Sequence, residues 1–192
     1  MATPERSPDA GTLAVMDRRL LIDHLRTHAI RTDGPFTLRS GEVSSWYIDA
    51  RQTTFDGVGA RLVGRVVAGM LPARVTAIGG LTMGADPIAI ATAMLADPPL
   101  RAFSIRKAPK DHGTGGRLVG PVGQGDVVCV VEDTTTTGDA LHEAIDVLRA
   151  AGVEVVAAIA LVDRSGGRVA QRLAATGIHY AAVVAPAGLG VE

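Results

Sequence analysis

The sequence has no asparagine, one cysteine, one tryptophan, and only two lysines against seventeen arginines. Without asparagine there is no Asn-x-Ser/Thr acceptor for N-glycosylation. The lone Cys129 excludes a disulfide within the chain, and its place in the apolar run Val127-Val128-Cys129-Val130-Val131 marks it as a small packed hydrophobe. No apolar stretch approaches the roughly 18 residues of a membrane span. Neither sign of charge forms a long run and the formal net charge is −1, so the electrostatic footprint of a nucleic-acid or membrane-surface binder is missing. Also absent are internal repeats, a Gly-x-x-x-x-Gly-Lys-Ser/Thr loop for ATP, and metal-like spacing among His24, His28, His142 and His179. Residues 1–11 are polar and lack the basic-then-apolar order of a signal peptide. They are expected to belong to a flexible tail, 1–12, on a cytoplasmic protein.

What is present is 192 residues with 47% hydrophobic content, enough for one well-buried core and hence a single domain over 1–192. Residues 13–29 carry Leu20, Leu21, Leu25 and then Ile30 at helical spacing, which predicts an amphipathic helix. Asp33-Gly34-Pro35 breaks it, and 36–51 reads as two short strands flanking a Ser-Gly turn, a small β element over 35–51. A helix over 55–71, a strand over 75–78, a glycine-rich loop over 79–87 and a helix over 88–95 follow. Strands are then predicted over 101–105, 127–131, 153–162 and 178–184, with helices over 140–151 and 168–176. Strands alternating with helices imply an α/β fold with a mainly parallel, twisted sheet flanked by helices.

Two stretches carry chemistry. In the first, the apolar strand runs into Glu132-Asp133-Thr134-Thr135-Thr136-Thr137-Gly138-Asp139-Ala140 and then a helix. A loop after a strand and before a helix aims backbone N–H groups and hydroxyls at a phosphate. The two acids would repel a phosphate unless they faced ribose hydroxyls or a divalent cation, so a ribose-phosphate ligand suits both halves. The plainer alternative is a strand–turn–helix in which Thr137 or Asp139 caps the helix. The second stretch, residues 106–117, is cationic, glycine-rich and aperiodic, as in a mobile loop. It holds both lysines, Lys107 and Lys110, in a chain that otherwise uses arginine, which suggests that a compact ammonium is wanted there. Arg106, Lys107, Lys110 and His112 together could exclude water from a departing diphosphate and stabilise its charge.

Val130-Val131-Glu132-Asp133-Thr134-Thr135-Thr136-Thr137-Gly138 resembles the phosphoribosyl diphosphate (PRPP) signature of type I phosphoribosyltransferases. Three further segments resemble orotate phosphoribosyltransferases in particular. Residues 36–51 match the N-terminal hood, with an aromatic, a Ser-Gly turn, an aromatic pair and Asp-x-Arg. The Arg-Lys-x-x-Lys-x-His-Gly spacing of 106–113 matches the catalytic loop. Asp163-Arg164 stands where the family grips the orotate carboxylate.

The resemblance, over about residues 20–189, implies a type I phosphoribosyltransferase fold with a β hood. It implies transfer of phosphoribose from PRPP to orotate with Mg²⁺ in pyrimidine biosynthesis. It also implies a homodimer whose catalytic loop serves the neighbouring site. Glu132 and Asp133 would hold ribose hydroxyls, with contact to the metal mostly through PRPP. Thr134, Thr135, Thr136, Thr137, Gly138, Asp139 and Ala140 would wrap the 5′-phosphate, with Arg106, Lys107, Lys110 and His112 on the diphosphate and Asp111 a candidate proton shuttle. Thr136 and Arg164 would contact orotate. Trp46 and Tyr47 would either face its ring or anchor the hairpin. The family often has lysine where this chain has Arg39, a PRPP contact, and some members have Tyr-Lys where Met83-Gly84 stands. A phosphoribosyltransferase for another base would keep the first stretch but would need neither Arg164 nor the hood, whereas a PRPP-sensing regulator would keep it but relax the cationic loop and show a basic face.

Overall fold

The computed structural model describes residues 10–37, 41, 43–109 and 116–191. The opening helix α1 (Ala10–His28) begins inside the segment expected as a tail and ends one residue early. Leu21 and Leu25 are fully buried on it, whereas Leu20 faces solvent. Ile30 is not part of this helix: it lies in β1 (Ile30–Arg31), which pairs antiparallel with β4 (Tyr47–Ile48). The hood is therefore two ladders, the second joining β2 (Phe36–Thr37) to β3 (Val43–Ser44). The expected two strands over 36–51 are three, and Arg51 already opens a helix.

That helix, α2 (Arg51–Thr54), is divided from α3 (Gly57–Ala68), which fills the helix expected over 55–71 but starts two residues later and ends three earlier. Asp56 causes the division. Its extended backbone and its carboxylate, which accepts from Val58 N and Gly59 N at 2.9 Å each, start α3 afresh. His24 of α1 reaches the same carboxylate at 3.1 Å and Thr53 Oγ1 at 3.1 Å, binding the three helices together.

The remaining elements are β5 (Ala77–Leu81), α4 (Ala85–Leu95), β6 (Arg101–Ile105), β7 (Leu118–Val119), β8 (Val127–Thr135), α5 (Asp139–Ala150), β9 (Glu154–Asp163), α6 (Arg168–Ala174), β10 (His179–Val184) and α7 (Pro186–Leu189). The main sheet has the order β10-β9-β8-β5-β6-β7, parallel except for β7. Strands β8 and β9 are apolar runs because helices cover both faces. On one face Ile78, Cys129, Val131 and Ile159 meet Leu21, Leu25, Val63 and Ile88 of α1, α3 and α4. On the other, Val128 and Val130 meet Leu141, Ile145, Leu148 and Leu173 of α5 and α6. Cys129 is fully buried as expected, and burial pushes its thiol pKa up.

Two boundaries move in a way that matters for the site. Gly79 and Gly80, expected in a loop, lie in β5, where neighbouring strands crowd them. A Cβ on Gly79 would stand 2.2 Å from Phe103 O, and one on Gly80 2.2 Å from Val131 O. These glycines permit close strand packing, not ligand approach. The acids and first threonines, also expected in a loop, extend β8, because β9 is long enough to pair Glu132 with Ala160, Thr134 with Val162 and Thr135 with Asp163.

Candidate active site

The chain leaves β5 to form β6 on one side and later returns to place β8 on the other. This reversal between β5 and β8 is a topological switch point, and the crevice beyond the carboxyl ends of the two strands is where open parallel sheets bind ligands. From β5 comes the turn Thr82-Met83-Gly84, held by Thr82 N on Ile105 O at 2.8 Å and by Thr82 Oγ1 on Asp86 Oδ2 at 2.6 Å. From β8 come Glu132 and Asp133. The two stretches touch: a Cβ on Gly84 would lie 2.6 Å from Asp133 Oδ1. Met83 is exposed, and no lysine occupies this turn.

Successive side chains of a strand leave opposite faces, so the two acids have different surroundings. Asp133 stands beside Gly84 and feels the Arg51 cation, while its Oδ1 accepts from Thr134 N at 2.8 Å. Burial outweighs both and raises its pKa. Glu132 is raised further, to about 8, first by burial and then by the negative charges of Asp133 and Asp139. Its Oε2 is buried with no hydrogen-bond partner among the described residues.

Beyond them the chain turns through Thr136, Thr137 and Gly138, whose φ of +81° is accessible to glycine, into the amino end of α5. Thr137 Oγ1 donates to Asp139 Oδ2 at 2.9 Å. Arg172 of α6 donates to the Thr137 carbonyl at 2.5 Å and to Asp139 Oδ1 at 3.1 Å. Arg172 thus occupies that carbonyl, and the start of α5 offers N–H groups and a helix dipole that favour an anion.

Arg164 follows β9, and its N–H donates to Thr135 O at 2.8 Å, which sets it beside Thr135 and Thr136. Its half-buried guanidinium has no carboxylate within salt-bridge distance among the described residues, and burial lowers its pKa. The guanidinium carbon lies 4.3 Å from the centre of the Trp46 ring. Trp46 is buried, whereas Tyr47 is exposed and stacks near Phe36, with ring centres 5.8 Å apart.

Arg106 and Lys107 extend from the carboxyl end of β6, Arg106 half-buried and Lys107 exposed. The stem of the cationic loop is closed by Arg106 N on Arg117 O at 2.8 Å and by Arg117 Nε on Arg106 O at 2.7 Å. Arg39, Lys110, Asp111 and His112 lie outside the described residues. The structure thus brings together Glu132, Asp133, the threonine turn, Arg164 and Trp46. Sequence reading assigned no role to Arg51, Gly84 or Arg172. Only Arg51 carried a signal, as the end of the hood's Asp-x-Arg; it pairs with Asp49 at 2.7 Å and faces Asp133.

An open parallel sheet whose switch point ends in two acids and a threonine-glycine turn defines a type I phosphoribosyltransferase. No family model matches the chain. The chain is 41% identical to the orotate phosphoribosyltransferase of Nostoc sp. over 179 residues, covering 91% of this chain and 84% of that one. The crystal structure of Mycobacterium tuberculosis H37Rv orotate phosphoribosyltransferase in complex with Fe(III) dicitrate superposes with a TM-score of 0.83 at 35% identity, covering 91% of this chain and 99% of that one. The same mycobacterial enzyme in complex with PRPP gives 0.79 at 32% identity, again covering 91% and 99%. The chain belongs to the orotate phosphoribosyltransferase family.

Proposed function

We propose that this protein transfers the 5-phosphoribosyl group from PRPP to orotate, giving orotidine 5′-monophosphate and diphosphate in the synthesis of pyrimidine nucleotides. The observation that carries the reading is Arg164. A partly desolvated guanidinium with no carboxylate partner among the described residues, set beside the threonine turn, suits a planar carboxylate taken by two parallel hydrogen bonds. Among common nucleobases and their precursors, orotate brings that carboxylate.

Thr134 to Ala140 cradle the 5′-phosphate on backbone N–H groups and hydroxyls. Asp133 and Glu132 accept from the ribose hydroxyls, which gives the unpartnered Glu132 Oε2 a donor. Thr136 and Arg164 fix orotate, with Trp46 and Tyr47 behind it. Arg39, Arg106, Lys107, Lys110 and His112 face the phosphates, and Asp111 takes or returns a proton at the diphosphate. Loss of diphosphate leaves positive charge on the ribose and negative charge on the leaving oxygens, so cations over one end and carboxylates near the other lower the barrier without a covalent nucleophile.

Among the described residues no group of three or more His, Cys, Asp or Glu could cage a metal. Two carboxylates at the crevice fit Mg²⁺ that is coordinated chiefly by PRPP oxygens and water. When bound, Mg²⁺ supplies charge neutralisation to the diphosphate. The assembly is a homodimer in which residues 106–117 serve the neighbouring site. No described helix is long and apolar enough to cross a membrane, and the cytoplasm is the compartment we assign.

The test mixes protein, PRPP and Mg²⁺ with orotate, uracil, adenine or hypoxanthine in parallel and follows base absorbance. Consumption of orotate alone is the expected result. Consumption of another base in its place would overturn the role of Arg164.

A further inference from the structure

The contact between Trp46 and Arg164 joins the hood to the far end of β9. We propose that Trp46 is a positioning residue for the pyrimidine carboxylate: its ring holds the Arg164 guanidinium in the one plane from which two N–H groups meet that carboxylate. The inference rests on the reading of Arg164 as the orotate anchor.

The geometry makes Trp46 a fixed platform. It is 6% exposed and packs in the core with Leu21, Ile48 and Ala50. Its backbone is clamped by Ser44, whose Oγ donates to Trp46 O at 2.7 Å and accepts from Trp46 N at 3.3 Å. The next residues, Tyr47 and Ile48, are pinned to Arg31 and Ile30 in the β1–β4 ladder. Among the described residues Arg164 by contrast is hydrogen-bonded at its base, by its N–H on Thr135 O at 2.8 Å, with no hydrogen bond from its guanidinium, and its side chain has several torsions to spend.

A guanidinium lying over an indole face is attracted by the ring quadrupole, an attraction that strengthens as water is excluded. A guanidinium that stacks on a ring uses its flat face and leaves its hydrogen-bonding edge open, the edge that matches a carboxylate. The same contact closes that face of Trp46 to the base, so the residue acts through Arg164 on this side. Trp46 therefore sharpens discrimination between a pyrimidine that carries a carboxylate and one that does not.

Steady-state kinetics on Trp46→Leu, Trp46→Phe and Arg164→Lys test this. We expect Trp46→Leu to raise KM for orotate about tenfold, with kcat and KM for PRPP within about twofold, and Trp46→Phe to recover most of the loss. Because Trp46 is the one tryptophan of the chain, the unmutated protein gives a second readout free of any folding defect. Its tryptophan fluorescence should change on titration with orotidine 5′-monophosphate and stay unchanged with uridine 5′-monophosphate, which lacks the carboxylate. A normal orotate KM in Trp46→Leu, an equal rise in KM for PRPP, no recovery in Trp46→Phe, or the same fluorescence response to both nucleotides would overturn the positioning role. If Arg164→Lys leaves KM for orotate unchanged, the anchor reading itself fails; a large effect there beside a silent Trp46→Leu refutes only the inference.

Discussion

Replacing Glu132 with glutamine should make the ligand-free protein more stable, by an amount that grows as pH rises from about 4.5 to about 8. A glutamate in the unfolded chain titrates near 4.5, whereas in the fold burial and the Asp133 carboxylate raise Glu132 to about 8. Between those two values the native state holds a proton that the unfolded state has released. Stability therefore falls as pH rises through this window, the reverse of a carboxylate in a salt bridge. Each pH unit corresponds to about 1.4 kcal/mol, so the full window approaches 5 kcal/mol. Glu132 sits at a strand end that water partly reaches, and the share realised is about 2 kcal/mol. For a chain of this size that is about 4–8 °C in Tm. Thermal or urea unfolding of both proteins at pH 4.0 and 8.5 is the assay. At pH 4.0 they should nearly agree, because below the unfolded pKa of 4.5 the glutamic acid is neutral like the amide in both states. At pH 8.5 Glu132→Gln should be the more stable, while its KM for PRPP is raised. A constant offset at both pH values, or a wild type that gains on the variant as pH rises, would refute the electrostatic account.

The two close glycine approaches should separate folding from binding. Gly80→Ala forces a Cβ into Val131 O of the β5–β8 ladder and should cost about 1–3 kcal/mol in urea unfolding, whereas Gly84→Ala meets the movable Asp133 carboxylate, and should spare stability while raising KM for PRPP. Wild-type PRPP kinetics in Gly84→Ala would remove Asp133 from the site. Arg172→Ala frees the Thr137 carbonyl and should raise KM for PRPP several-fold with little loss of Tm, since its contacts are exposed; an unchanged KM would make that contact incidental. If residues 106–117 complete the neighbour's site, inactive Lys110→Ala and Arg164→Ala proteins, unfolded and refolded as a mixture, should regain about a quarter of wild-type activity, because half the dimers then carry one intact site. No recovery would place the loop over its own subunit.

The main sheet was legible in the sequence because parallel strands covered on both faces are apolar throughout. Strand β6 falls where expected, and β8 and β9 err only at their ends. Those errors have one cause: local rules stop a strand at glycine or at a charged residue, whereas the structure stops it where its neighbour stops. Gly79 and Gly80 remain in β5 because Phe103 and Val131 press on them, and Glu132 to Thr135 remain in β8 because β9 continues alongside. The hood was least legible, since four strands of two residues each are too short to display a period, and Ile30 was claimed by the helix before it.

The site divides along the same line. The acceptors and phosphate cradle we propose occupy one unbroken stretch, Glu132 to Ala140, which is why sequence alone could suggest them. What sets their behaviour comes from elsewhere in the chain. Arg172 holds the Thr137 carbonyl, Arg51 offsets part of the charge on Asp133, and the Trp46 ring centre lies 4.3 Å from the Arg164 guanidinium carbon. Each is an arginine or an aromatic acting across the fold on a residue that sequence had already picked out. A motif states which groups meet the ligand. The pKa of Glu132, the plane of Arg164 and the direction of the Thr137 peptide are tertiary quantities, and they decide how tightly and how selectively those groups bind.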